Sequence, residues 1–168
     1  MNIFLSYSQE DVELAAAIVA VLTANNPSLS CFDADSMRTS GHWQTELGPA
    51  LADSDFVLLF WCHHSSTSYE VRKEFALALD RGKDVVPLLL DDTPVPGRLA
   101  GRRCIDFRDR VRVLHETAAG CHEADAPSGQ VDADRRIARG ISRQYEELLV
   151  MHLVREIERE LAARLQPR

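Results

Sequence analysis

Apolar residues arrive along the first two-thirds of the chain as short continuous runs alternating with stripes at helical spacing. Asn2 to Tyr7 is a brief apolar run that ends in small polar residues, Ser6-Tyr7-Ser8. Asp11 caps or leads a helix whose Leu14, Ile18, Val21 and Leu22 share one face, and which stops at Asn25-Asn26-Pro27. Leu29 to Phe32 predicts a second strand, followed by a polar loop to Gly41. A helix over His42–Ala52 carries Trp43, Leu47 and Leu51 at four-residue spacing, and Asp55–Trp61 is a third, almost wholly apolar run. A capped helix then begins near Ser68, with Val71, Phe75, Ala78 and Leu79 at helical spacing and Gly82 where it would stop. Val85–Leu90 is a fourth apolar run and Cys104–Phe107 a short fifth.

Runs of this kind, without a polar residue at every second position, belong to strands covered on both faces. Their alternation with helices predicts an α/β layer: an open, parallel, doubly wound sheet with helices on both faces. In such sheets ligands sit beyond the carboxyl ends of the strands, near the point where strand order reverses. That rim would hold Ser6-Tyr7-Ser8, Cys62-His63-His64, the loop after strand two and the Ser65–Glu74 segment. Glu74 precedes Phe75 on the core stripe, so a carboxylate is expected at the edge of the buried face.

The tail differs. His115–Gln130 is polar and reads as a loop, whereas Asp132–Leu165 is one long helical pattern, with Gly140 as a candidate break and Val150, Val154, Ile157, Leu161 and Leu165 as its stripe. Leu148–Val154 is apolar nearly all round, more than packing on one sheet face requires. The expected organisation is a core over residues 1–114, a polar loop over 115–131 and a C-terminal helix over 132–168, packed on the core or used for assembly.

Composition narrows the function classes. The 168 residues suit one domain, which buries roughly two-thirds of its unfolded surface. A net charge of −7 argues against capture of nucleic acid or an anionic membrane as the main activity. No run approaches the roughly 18 apolar residues of a membrane span, and the first strand opens directly after Met1, so neither a leader nor a membrane anchor is expected and the predicted location is the cytoplasm. Cys31, Cys62, Cys104 and Cys121 are scattered and fit reduced, buried thiols. His63-His64 would point in opposite directions on an extended chain, so no metal site is expected there.

Taken in order, these segments resemble the Toll/interleukin-1 receptor (TIR) domain family. Ile3-Phe-Leu-Ser-Tyr-Ser8 followed by Asp11 looks like its first box. Phe32-Asp33 with Gly41-x-Trp43, then Ala50-Leu-Ala-Asp-Ser54, then Ser68, Glu74, Gly82-Lys83 and Val86-Pro87, match the elements that follow, over about residues 1–107. The resemblance implies a flavodoxin-like five-stranded sheet of order 2-1-3-4-5. It also implies, as in many bacterial members, cleavage of NAD⁺ at the nicotinamide–ribose bond, as a glycohydrolase or an ADP-ribosyl cyclase, in immune or anti-phage signalling. NAD⁺ is then the substrate, and no cofactor is required.

By the same resemblance Glu74 is the catalytic glutamate, several residues after Ser68. The tryptophan usual four residues before it is Glu70 here, and Tyr69 is the candidate replacement ring. Ser6, Tyr7 and Ser8 are candidates for ribose or phosphate contact, though turn chemistry explains them equally. Asp35 and Arg38 lie on the loop that in the family closes over the site. Trp43 is either core or a stacking ring, and Lys73 is placed to favour an ionised Glu74. Self-association between TIR domains and a separate effector or sensor protein are the implied partners. The competing reading is a non-catalytic TIR scaffold that acts through that self-association. A phosphate-accepting receiver domain of similar topology would need acidic residues where this chain has Ser6-Tyr7-Ser8 and Cys62-His63.

Overall fold

The computed structural model describes residues 1–33, 43–109, 111–112 and 131–165. Five strands form one parallel sheet: β1 (Asn2–Ser6), β2 (Ser30–Asp33), β3 (Phe56–Trp61), β4 (Asp84–Leu89) and β5 (Ile105–Asp106). Helices accompany them among the described residues: α1 (Val12–Asn25), α2 (Trp43–Asp53), α3 (His63–Thr67), α4 (Tyr69–Asp80) and α5 (Val131–Leu165). The strand order is β2-β1-β3-β4-β5, the flavodoxin-like arrangement. Register is set by pairs such as Leu5 with Asp33, Leu5 with Leu58, and Leu58 with Val86.

The side-chain period of a strand sorts each apolar run onto two faces. Ile3, Leu5 and Tyr7 join Phe56, Leu58 and Phe60 in a core with Ile18 and Leu22 of α1 and Leu153, Val154, Ile157 and Leu161 of α5. Phe4 points the other way, with Val57, Leu59, Trp61 and Val85, into a core closed by Leu47 and Leu51 of α2 and Val71, Phe75 and Ala78 of α4. Both faces are covered, which is why the strands read as unbroken hydrophobic segments.

Helix α5 runs without interruption through Gly140. Its C-terminal half docks beside α1, where the Asn26 carboxamide donates to Glu158 Oε1 at 2.7 Å. Arg164 ties the far end down, bonding the Asp84 carboxylate and donating to the Arg103 carbonyl at 3.1 Å. Each fully buried aliphatic side chain here contributes about 1.5–3 kcal/mol of transfer free energy. Val154, Ile157 and Leu161 lie in that core as the stripe predicts, but Leu165 is exposed, as are Leu148 and Met151. The segment expected as a polar loop over 115–131 lies outside the described residues apart from Val131.

Helix α4 stops where Gly82 was expected to end it. Gly82 takes φ +69°, its amide bonds the Leu79 carbonyl at 3.0 Å, and the Lys83 amide reaches the Ala78 carbonyl at 2.9 Å. This paired closure needs a left-handed residue, which glycine adopts without steric cost. The Lys83 ammonium then turns to the end of α2 and donates to the carbonyls of Ala52 and Ser54 at 2.6 and 2.8 Å.

Candidate functional site

Ser6, the last residue of β1, lies on the α4 side of the sheet with Phe4, and it is wholly buried. Its hydroxyl donates to Glu74 Oε2 at 2.7 Å, and Glu74 is itself buried to 0% exposure. The carboxylate is therefore neither a solvated helix charge nor at the edge of the apolar face, as its place beside Phe75 suggested. It stands three residues after Val71 and four before Ala78, so helical geometry puts it within the stripe. Burying a carboxylate costs several kcal/mol unless hydrogen bonds replace its water. Ser6 supplies one of them across a sequence separation of 68 residues.

The helix that carries Glu74 starts where Ser68 caps it, the Ser68 hydroxyl accepting from the Val71 amide at 3.3 Å. That same hydroxyl donates to Glu70 Oε2 at 3.1 Å. Glu70, one turn before Glu74, lines a cavity of about 350 Å³ together with Ser8, Gln9 and Glu10 from the exit of β1 and His64, Thr67 and Ser68 from the exit of β3. The cavity lies at the carboxyl ends of the two central strands, where a parallel α/β sheet presents its ligand site. Another cavity, of about 390 Å³, lies between β5 and α5. Its Glu160 is already paired with Arg103 and Arg164, and it is remote from the strand ends.

Beneath the cavity wall a second polar knot joins the two strand exits. Asp11 Oδ2 accepts from the Ser8 hydroxyl at 2.6 Å and from the Cys62 thiol at 3.1 Å. Cys62 caps α3 by accepting from the Ser65 amide at 3.4 Å, and the Ser65 hydroxyl accepts from the Cys62 amide at 2.8 Å. Burial pushes the Cys62 thiol up from its ordinary range, with the Asp11 carboxylate adding to the shift, so it remains a protonated donor. From the end of β4, Asp91 accepts from the His63 amide at 2.8 Å and from the Thr93 amide at 2.9 Å. Burial raises the Asp91 carboxyl, but these bonds outweigh it and hold the group below its ordinary range.

The expected site residues thus separate. Ser6 and Glu74 are joined directly; Ser8 and Ser68 line the cavity with Glu70. Tyr7 points to the opposite sheet face, buried edge-on to Phe60 with ring centroids 5.8 Å apart. Tyr69 is 59% exposed on the outer side of α4, where the Lys73 ammonium lies 5.7 Å from its ring centre. Arg72 spends its guanidinium on the Ser68 carbonyl at 3.2 Å. Asp35 and Arg38 lie outside the described residues, and so does the side chain of Trp43, although its backbone opens α2.

Sequence reasoning missed Gln9 and Glu10, which follow β1 in a single 3-10 turn, and placed His64 and Thr67 at this rim without assigning α3. His63 and His64 stand on that short helix, not on extended chain, and the capping pair Cys62 and Ser65 was the available signal. Among the described residues no group of three potential metal ligands forms.

A family model described as TIR domain matches residues 3–123. Among solved structures, the TIR domain of the Toll-related receptor TRR-2 from Hydra magnipapillata is similar, with a TM-score of 0.55 and 17% identity over 70% of this chain and 94% of that one. No curated protein matches the chain.

Proposed function

The chain belongs to the TIR domain family, and we propose that it cleaves the nicotinamide–ribose bond of NAD⁺, with Glu74 as the catalytic carboxylate. TIR domains include both NAD⁺-cleaving enzymes and scaffolds, and they generally self-associate. The observation that carries the catalytic reading is the buried Glu74 carboxylate held by Ser6 at the ligand-binding edge of the sheet. A leucine there would pack without the desolvation penalty, so a buried carboxylate at this place supports a chemical role.

The reaction suits a single acidic residue. As the bond between ribose C1′ and the pyridinium nitrogen breaks, its electron pair goes to that nitrogen and nicotinamide leaves neutral, with no proton required. Positive charge develops at C1′, and an anionic carboxylate stabilises it while holding the ribose hydroxyls. Water then adds to C1′ and loses a proton to give ADP-ribose, or a nucleophile within the same molecule closes a cyclic isomer. Paired acid and base carboxylates are not needed.

Glu74 is sealed in the resting structure, so turnover requires the rim formed by Ser8, Ser68 and Glu70 to open. Self-association or a separate sensor protein is the natural trigger, and anti-phage signalling through a separate effector is the setting we assign. The same burial favours a second reading, a scaffold in which Glu74 only braces β1 against α4. Incubation of the purified protein with NAD⁺, with and without a crowding agent, separates them: release of nicotinamide supports the enzyme, and assembly without release supports the scaffold.

A further inference from the structure

Ser6 and Glu74 lie one layer beneath the cavity at the strand ends. Ser8, which lines that cavity, is two residues beyond Ser6 on extended chain, a rise of about 6–7 Å. Glu70, which also lines it, is one turn before Glu74 on α4, a rise of about 6 Å. Strand and helix thus agree on the depth, and a ligand that fills the cavity meets Ser8 and Glu70 before it meets Glu74. The surroundings of the pair are apolar: Ser6 sits beside Leu59 of β3, and Val71, Phe75 and Ala78 flank Glu74 on α4. With little water to compete, a hydrogen bond to a charged oxygen is at its strongest here.

Side chains on a helix lean toward its N-terminus, and for α4 that is the direction of the cavity. The Glu74 carboxylate therefore has a path upward past Glu70, and it must break the Ser6 bond to take it. We propose that the Ser6–Glu74 hydrogen bond is a latch: it holds the carboxylate below the cavity in the resting protein, and its release delivers Glu74 to the substrate. This rests on the NAD⁺ reading of the same site and adds its regulation. Loss of the Ser6 hydroxyl weakens the closed state alone, because a raised carboxylate takes its hydrogen bonds from water or ribose. The raised population should then grow about ten- to a hundredfold, the factor set by one hydrogen bond to a charged group. The same contact steadies the fold and holds back the reaction, so Ser6→Ala is expected to be less stable and more active.

The test uses the full chain, at a temperature where every variant is folded by circular dichroism, and reads exposure of Glu74 apart from catalysis. Carbodiimide with glycine ethyl ester converts an accessible carboxylate to an amide, and peptide mass spectrometry gives the rate at Glu74 against that at exposed Glu13. Ser6→Ala should label Glu74 about ten- to a hundredfold faster than wild type, and release more nicotinamide from NAD⁺ without a crowding agent. Ser6→Cys, whose thiol is a weak donor, should fall between the two. Ile157→Ala weakens the opposite core and controls for instability; both readouts should stay at the wild-type level. Unchanged labelling in Ser6→Ala, or equal acceleration in Ile157→Ala, would overturn the inference. Faster labelling with slower release would also overturn it, since Ser6 would then hold Glu74 in its reacting position. Faster labelling in a protein that releases no nicotinamide would keep the latch and remove the enzymatic reading. Release by wild type with labelling unchanged in Ser6→Ala would do the reverse.

Discussion

The Ser6 hydroxyl and the Glu74 carboxylate meet at 2.7 Å in a part of the core where neither residue touches solvent. The contact joins the exit of β1 to the middle of α4, two elements that the chain brings together only through the sheet. Ser6→Ala should therefore lower stability by about 1.5–3 kcal/mol, the range for a hydrogen bond to a charged group, read by urea denaturation. A double-mutant cycle with Glu74→Gln should return a coupling energy of at least about 0.5 kcal/mol. Additive effects would mean that the two residues contribute independently.

Helix α5 makes separable contributions along its length. Ile157 is fully buried between α1 and the sheet, so Ile157→Ala should cost about 2–5 kcal/mol in equilibrium unfolding. Leu148, 62% exposed on the same helix, should change stability by no more than about 0.5 kcal/mol when replaced by serine. A shift of sedimentation coefficient in Leu148→Ser would then report on assembly, free of any effect on folding.

Asp91 links pH to stability. Its carboxyl is held below the ordinary aspartate range by the Thr93 and His63 bonds, despite the opposing effect of burial. A group depressed in the folded state contributes fully above its unfolded value, near 3.9, and loses that contribution as pH falls through the lower folded value. Wild type should lose stability below about pH 4, and Asp91→Asn should flatten that limb while starting from a lower plateau. Thermal melts across the acid range measure both. Identical acid limbs in the two proteins would remove Asp91 from the account.

The fold was legible because its signals are local: apolar runs, helical stripes, Ser68 as a cap and Gly82 as a stop each specify an element without reference to the rest. Strand order came from resemblance to a family, since hydrophobic pattern alone leaves the order of parallel strands open. The site was legible only in part. Glu74 was expected at the edge of the buried face because it precedes Phe75, although its offsets from Val71 and Ala78 put it within the stripe, and its partner Ser6 is visible only once β1 and α4 are packed. The short helix α3 was hidden because His63-His64-Ser-Ser-Thr67 carries no apolar stripe; a thiol cap and a distant aspartate hold it in place. Tyr69 and Tyr7 show the reverse problem. Tyr69 was expected as a replacement ring and Tyr7 as a ribose or phosphate contact, yet one lies over the outer surface of α4 and the other fills the opposite core.

The central claim is that Glu74 is a reacting group and not only a brace. Nicotinamide release from NAD⁺, followed in parallel for wild type and Glu74→Gln at matched folded concentration, tests it most directly. The glutamine keeps the shape and an acceptor for Ser6 but removes the negative charge that would stabilise C1′. Release should fall by about 10²–10³-fold, the scale of losing one preorganised electrostatic contact to the transition state. Equal release from the two proteins would contradict the account.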